Sequence, residues 1–136
     1  MKIIIAPLLL MLYSPAMAAG SSAPYGMGGQ FSRFDPVVEQ YNQSGELFRI
    51  EGHCQSACTL FLAIRNVCIE PAATLLFHAG HNRQREVNAS ATSHMLGAYN
   101  PALREYVTAH HYMDTMVFHA ISGREMISRF GYRACR

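Results

Sequence analysis

The chain has 136 residues, half of them hydrophobic, with eleven Lys and Arg against nine Asp and Glu and a formal net charge of +2. The basic residues are scattered rather than striped, which speaks against a nucleic-acid interface. The mild basicity fits an exported protein beside an anionic envelope surface.

The first residues carry the clearest signal. Met1-Lys2 is followed by "IIIAPLLLMLY", roughly a dozen apolar residues, and then by Ala16-Met17-Ala18. A basic start, a short apolar run and an Ala-x-Ala site make a secretory signal peptide over residues 1–18, with cleavage after Ala18. The run is too short for a convincing membrane span, so no membrane contact is expected after cleavage. The expected location is periplasmic or secreted. In that compartment Cys54, Cys58, Cys68 and Cys135, an even set, are expected to be oxidised.

Residues 19–27 are small and Gly/Ser/Pro-rich and read as a flexible leader before a Gly28-Gly29 turn. A single domain is expected over 28–136. In "FSRFDPVVEQYNQSG" a helix is expected to start near Asp35-Pro36 and to stop at Gly45. "ELFRIEG" then suggests a short strand ending at Gly52. "ACTLFLAI", residues 57–64, is apolar nearly all round and reads as a helix buried against a sheet. "NVCIEP" and "ATLLFHAG" read as two extended segments. This alternation implies an α/β fold with a small parallel sheet, βαβ crossovers and C-terminal helices. "HNRQREVNASATS" reads as a mobile surface loop. The stretch from Ser93 to Ile121 looks helical on both sides of Asn100-Pro101. Ser122 with Glu125 forms a capping-box signature for a last helix.

The turn "GHCQSACTL" has several chemical readings. Cys54-x3-Cys58 with His78-x2-His81 has spacings near those of structural zinc sites, but thiols in an oxidising compartment are expected to be paired, and no metal or other cofactor is expected. A redox pair would normally have a two-residue gap. A nucleophile needs a serine on a strand-to-helix turn, N–H groups for an oxyanion and a histidine within reach. Ser56, the Ala57 N–H, the Gly28-Gly29 pair and His78 are the residues that could supply these. The competing reading of Ser56 is a plain helix cap.

The order Gly28-Gly29, helix, "RIEGHCQSACTL", "CIEPAATLLFH" resembles the core of the Clp protease proteolytic subunit (ClpP) and its crotonase-like relatives. More closely, the chain is similar to small exported ClpP-like proteins, frequent in alphaproteobacteria, that carry a Cys-x-Ser-Ala-Cys-Thr turn and a later Phe-His. The likeness covers about residues 26–136. It implies a shortened ClpP-like unit in which Ser56 is the nucleophile, His78 the base, and Ala57 with Gly28 or Gly29 the oxyanion donors. The resemblance places the acid of the triad near Phe118 and His119, where no carboxylate stands, and Asp114 is the nearest candidate. It also implies that the segment after the last helix returns beside the strand carrying Cys68. Cys54 and Cys58 are close enough in sequence to pair, whereas Cys68 at the opposite end of a parallel sheet lies beyond their reach. The expected bridges are therefore Cys54–Cys58 and Cys68–Cys135.

Two functions follow as expectations. One is a serine hydrolase of peptidase type acting on a peptide or small acyl substrate. The other is a non-catalytic, disulfide-stapled module that binds a peptide or an envelope protein. In either case the chain could form an oligomer.

Overall fold

The computed structural model describes residues 20–136; the expected signal peptide and its cleavage site lie outside the described residues. The described residues begin with strand β1 (Gly20–Ser21), followed by a 3-10 turn at Ala23–Tyr25. Gly20–Ser21 is paired in a sheet, within the segment expected as a leader over 19–27. Gly20 N–H donates to the Leu47 carbonyl at 3.0 Å and Ser22 N–H to that of Arg49 at 2.9 Å. The buried Ser22 hydroxyl accepts from Glu51 N–H at 2.9 Å. A methyl group on Gly20 would fall 2.4 Å from the Tyr41 ring, so only glycine lets the strand lie this close.

Helix α1 (Phe31–Ser44) starts a turn earlier than Asp35-Pro36, and Pro36 sits inside it. The earlier start places Phe34 in the core, with its ring centroid 5.3 Å from that of Phe61. Burying a Phe is worth about 2 kcal/mol or more and offsets the hydrogen bond that Pro36 removes. The helix ends as expected at Gly45, which adopts φ +72 and donates its N–H to Tyr41.

Strands β2 (Phe48–Ile50) and β3 (His53–Gln55) continue one another across a bend at Gly52, φ +62. Strands β4 (Val67–Ile69) and β5 (Thr74–Phe77) do the same across Glu70–Ala73. The result is two three-stranded sheets. One is all parallel in the order β1-β2-β4; the other runs β3-β5-β6, where β6 is His119–Ser122 and β3 is parallel to β5. The α/β class and the small parallel sheet are as expected, and β1-α1-β2 is a βαβ unit. Arg49 and Glu70 form an ion pair across β2 and the end of β4.

Three local expectations change. Ser56–Ala63 is wound as a 3-10 helix rather than an α-helix, with Ala57 to Leu62 all buried. Its first carbonyl, that of Ser56, is taken by the Thr59 hydroxyl at 2.7 Å, so the start is stabilised by a side chain within the tighter turn. The polar stretch after His81 is a closed turn rather than an open loop: His81 bridges Val87, and the Asn82 Oδ1 accepts from the Gln84 and Glu86 N–H groups. Helix α2 (Ala89–Gly97) follows, capped by Asn88.

Helix α3 (Pro101–Ala109) is capped by Asn100 with Pro101 in its first turn. The helical reading fails beyond it, because His119–Ser122 forms strand β6, antiparallel to β5, and buries Ile121. Pairing along the open edge of β5 outweighs the helical spacing of the apolar residues there. Helix α4 (Gly123–Ser128) starts at the Ser122 cap, whose hydroxyl accepts from the Glu125 N–H at 3.1 Å.

Both expected disulfides are present: Cys54–Cys58 with Cα atoms 5.2 Å apart, and Cys68–Cys135 with Cα atoms 4.8 Å apart. After α4 the chain returns beside β4. Ile69 N–H donates to Arg133 and Cys135 N–H to Ile69, making a parallel bridge from Ile69 to Ala134. Such bridges belong to an oxidising, non-cytoplasmic compartment. Among the described residues no helix is long and apolar enough to cross a membrane.

Candidate active site at the end of two parallel strands

Ser56 lies at the junction between β3 and the 3-10 helix, with φ +55. For an L-residue other than glycine this left-handed conformation costs about 1–2 kcal/mol, and it is held here by what surrounds it. The Cys54–Cys58 bridge spans the turn on one side. On the other lies Gly28, φ +75. A methyl group there would stand 3.0 Å from the Gln55 carbonyl, 3.1 Å from Ser56 Cβ and 3.5 Å from the Ala57 nitrogen. The Gly28 loop is stitched to the same turn by Gln55 N–H to Gly26 at 2.9 Å and by the Gln55 amide to Met27 at 3.0 Å.

The two glycines are not equivalent as donors. The Gly28 N–H is taken by the Tyr25 carbonyl at 3.0 Å. The N–H groups of Gly29 and Ala57 have no backbone acceptor outside the helices, and Ala57 stands too early in the 3-10 helix to find one within it. Of the expected oxyanion donors, Ala57 and Gly29 are therefore available and Gly28 is not.

His78 follows β5 directly. The parallel register sets His53 against Thr74, Cys54 against Leu75 and Gln55 against Leu76, so Ser56 and His78 leave the same ends of two neighbouring strands, which run about 4.8 Å apart. The His78 side chain is buried, and its Nδ1 lies 2.6 Å from the Ala79 carbonyl. A carbonyl only accepts, so Nδ1 carries the proton and Nε2 keeps its lone pair. Burial lowers the imidazole pKa below its ordinary 6.5; the bond to Ala79 opposes that shift and the neighbouring His81 adds to it. His78 is thus neutral at pH 7, in the tautomer a general base at Nε2 requires. The Ser56 hydroxyl makes no hydrogen bond among the described residues, to His78 or to any other group.

The segment carrying Asp114 reaches this edge, since the Ala79 N–H donates to the Thr115 carbonyl at 2.8 Å, but the Asp114 carboxylate makes no hydrogen bond to His78. It accepts from His111 Nδ1 at 2.7 Å, and both side chains are exposed. The Ala79 carbonyl occupies the position on His78 Nδ1 that the acid of a triad would fill. Sequence reading had no means of finding it, because every residue has a carbonyl. Phe118, also missed, packs its ring against His78 with centroids 4.6 Å apart. The zinc alternative loses its ligands, since both cysteines are tied in a disulfide, and no cluster of three or more metal-ligating side chains occurs among the described residues.

The four large apolar side chains left exposed in the described chain border this edge. Met27 precedes Gly28, Val87 bridges His81 beside His78, Phe118 packs on His78, and Val117 precedes Phe118. No family model matches the chain, and no curated protein matches it.

Proposed function

We propose that the chain is an exported, periplasmic or secreted, ClpP-like serine hydrolase of peptidase type. The observation that carries this reading is His78: buried, neutral, with Nδ1–H fixed by a main-chain carbonyl and Nε2 free, at the strand end beside a serine held in the left-handed region. Ser56 Oγ attacks an acyl carbon while His78 Nε2 takes its proton. The oxyanion that forms receives the N–H groups of Ala57 and Gly29. His78 then protonates the leaving group, and water activated by the same nitrogen releases the acyl group from Ser56. Met27, Val117 and Phe118 suit a peptide or small acyl substrate with an apolar portion. The chemistry needs no cofactor.

A fluorophosphonate probe tests it. The mature protein is expected to be labelled, with loss of labelling in Ser56→Ala and His78→Ala; equal labelling of wild type and Ser56→Ala would overturn the assignment. The lack of a hydrogen bond between Ser56 and His78 and of a carboxylate on Nδ1 favours a second reading, a non-catalytic module that uses the same apolar rim to bind a peptide or an envelope protein. That reading expects no labelling, together with peptide binding weakened by Phe118→Ser.

A further inference from the structure

The fourth residue of the Ser56 turn, Thr59, and a tyrosine 40 positions later are joined in a way that the hydrolase chemistry leaves unused. Thr59 Oγ1 lies 2.7 Å from the Ser56 carbonyl and 2.7 Å from the Tyr99 hydroxyl. Thr59 is fully buried and Tyr99 is 2% exposed. The directions follow from valence. The carbonyl only accepts, so the single Thr59 proton goes to Ser56, and the Tyr99 hydroxyl must donate to Thr59. Burial pushes the Tyr99 phenol far above its ordinary range, so the donor persists at any physiological pH. Tyr99 is itself fixed: Arg104 donates to its carbonyl at 2.9 Å, and its ring stands edge-on to Phe77, the residue before His78, at 5.4 Å.

We infer that Thr59 and Tyr99 are positioning residues for Ser56: a buried two-hydroxyl chain clamps the Ser56 carbonyl, holds the residue in the left-handed region, and ties that turn to the strand that presents His78. The inference rests on the Ser56 reading for its catalytic consequence but not for its structural one. The clamped Ser56 carbonyl and the Ala57 N–H belong to one planar peptide, so the clamp fixes the direction of that oxyanion donor relative to the serine. Its outer end lies on the loop between α2 and α3, 40 positions from Thr59 in the sequence.

The test compares Tyr99→Phe, Thr59→Val and Thr59→Ser, each alone and combined with Ser56→Gly. With the Ser56 background the readout is the fluorophosphonate labelling rate beside the melting temperature. Tyr99→Phe is expected to stay folded and label about tenfold more slowly, the scale of one lost positioning hydrogen bond. Thr59→Val is expected to lose more, and Thr59→Ser to recover most of the rate because it restores the hydroxyl. Unchanged labelling in Tyr99→Phe and Thr59→Val would overturn the proposal.

The glycine background gives a readout that needs no activity. Glycine enters the left-handed region without penalty, whereas a serine freed from the clamp relaxes and recovers its strain, so the drop in melting temperature from Tyr99→Phe or Thr59→Val is expected to be larger with Ser56→Gly than without it. Equal drops in both backgrounds would refute the clamp, even in a protein that labels. A wild type that fails to label while the drops differ would refute the hydrolase and leave the clamp standing.

Discussion

Removing each disulfide as a pair, Cys68→Ala with Cys135→Ala and Cys54→Ala with Cys58→Ala, is expected to separate their roles. The first closes a separation of 67 residues and the second one of 4. On the chain-entropy account the long bridge is worth about 4 kcal/mol and the short one about 2. The long bridge also holds the last strand-like segment, with the Ile69–Arg133 and Cys135–Ile69 backbone bonds and the Arg133 to Asn66 contact at 2.6 Å. Fraying of that segment adds to its loss. For a domain of this size each kcal/mol moves the melting temperature by about 4 °C, so the expected drops are roughly 15 °C and roughly 8 °C. Circular dichroism melts of the oxidised protein read them directly. The short bridge borders Ser56, so its loss is expected to slow fluorophosphonate labelling more than its thermal cost implies. A melting temperature lowered as much by losing the short bridge as the long one would refute the reasoning.

Because burial depresses the His78 pKa, the folded protein resists protonation there. Below pH 6.5 the unfolded chain binds more protons, so this part of the stability is complete above 6.5 and is lost as the pH falls from 6.5 towards the folded value. Urea titrations of wild type and His78→Gln at several pH values should show a shallower acid loss in the variant; identical slopes would contradict it. Labelling of Ser56 is expected to rise with pH to a plateau reached by neutrality, and a rise continuing past pH 7 would point to a different base. Asp114→Asn, which alters only an exposed contact with His111, is expected to leave labelling within about twofold; a tenfold loss would restore Asp114 to the site. Gly28→Ala, at φ +75 and with a methyl group pressed on the Ser56 turn, is expected to cost about 1–2 kcal/mol or more in chemical denaturation, and a neutral result would show that the loop yields.

The parts of the fold legible in the sequence are those decided within a few residues. Gly45 ends α1 because a left-handed residue is needed just past the last turn, and Asn100-Pro101 and Ser122 with Glu125 open helices through their own side chains and neighbours. What misled was decided by distant partners. The Gly20–Ser21 segment has the composition of a leader, yet Tyr41, Arg49 and Glu51 make it a strand. Residues 119–121 fall in the stretch expected to be helical, yet the unpaired edge of β5, more than forty positions earlier, recruits them. The start of α1 was obscured in the same manner, since nothing beside Phe34 announces that it packs on Phe61.

At the site, the order of elements was enough to bring Ser56 and His78 to neighbouring strand ends, because a parallel pair delivers residues that follow its strands to one edge. Choosing between Gly28 and Gly29 depended on where the Tyr25 carbonyl points, and no local pattern carries that. The search for an acid met a different obstacle: a side chain was sought where a main-chain oxygen bonds His78 Nδ1. That substitution has a chemical consequence. A carbonyl fixes the tautomer of His78 as well as a carboxylate does, but it offers only a dipole to the imidazolium formed when Ser56 is deprotonated. Burial penalises that same cation. Both effects leave His78 ready as a base at neutral pH yet make it a weak one, so an activity at Ser56 is expected to favour reactive acyl groups over unactivated amides. In the proposed hydrolase the clamp on the Ser56 carbonyl and the free N–H groups of Ala57 and Gly29 are then expected to do the larger share of the work, through geometry fixed before the substrate arrives.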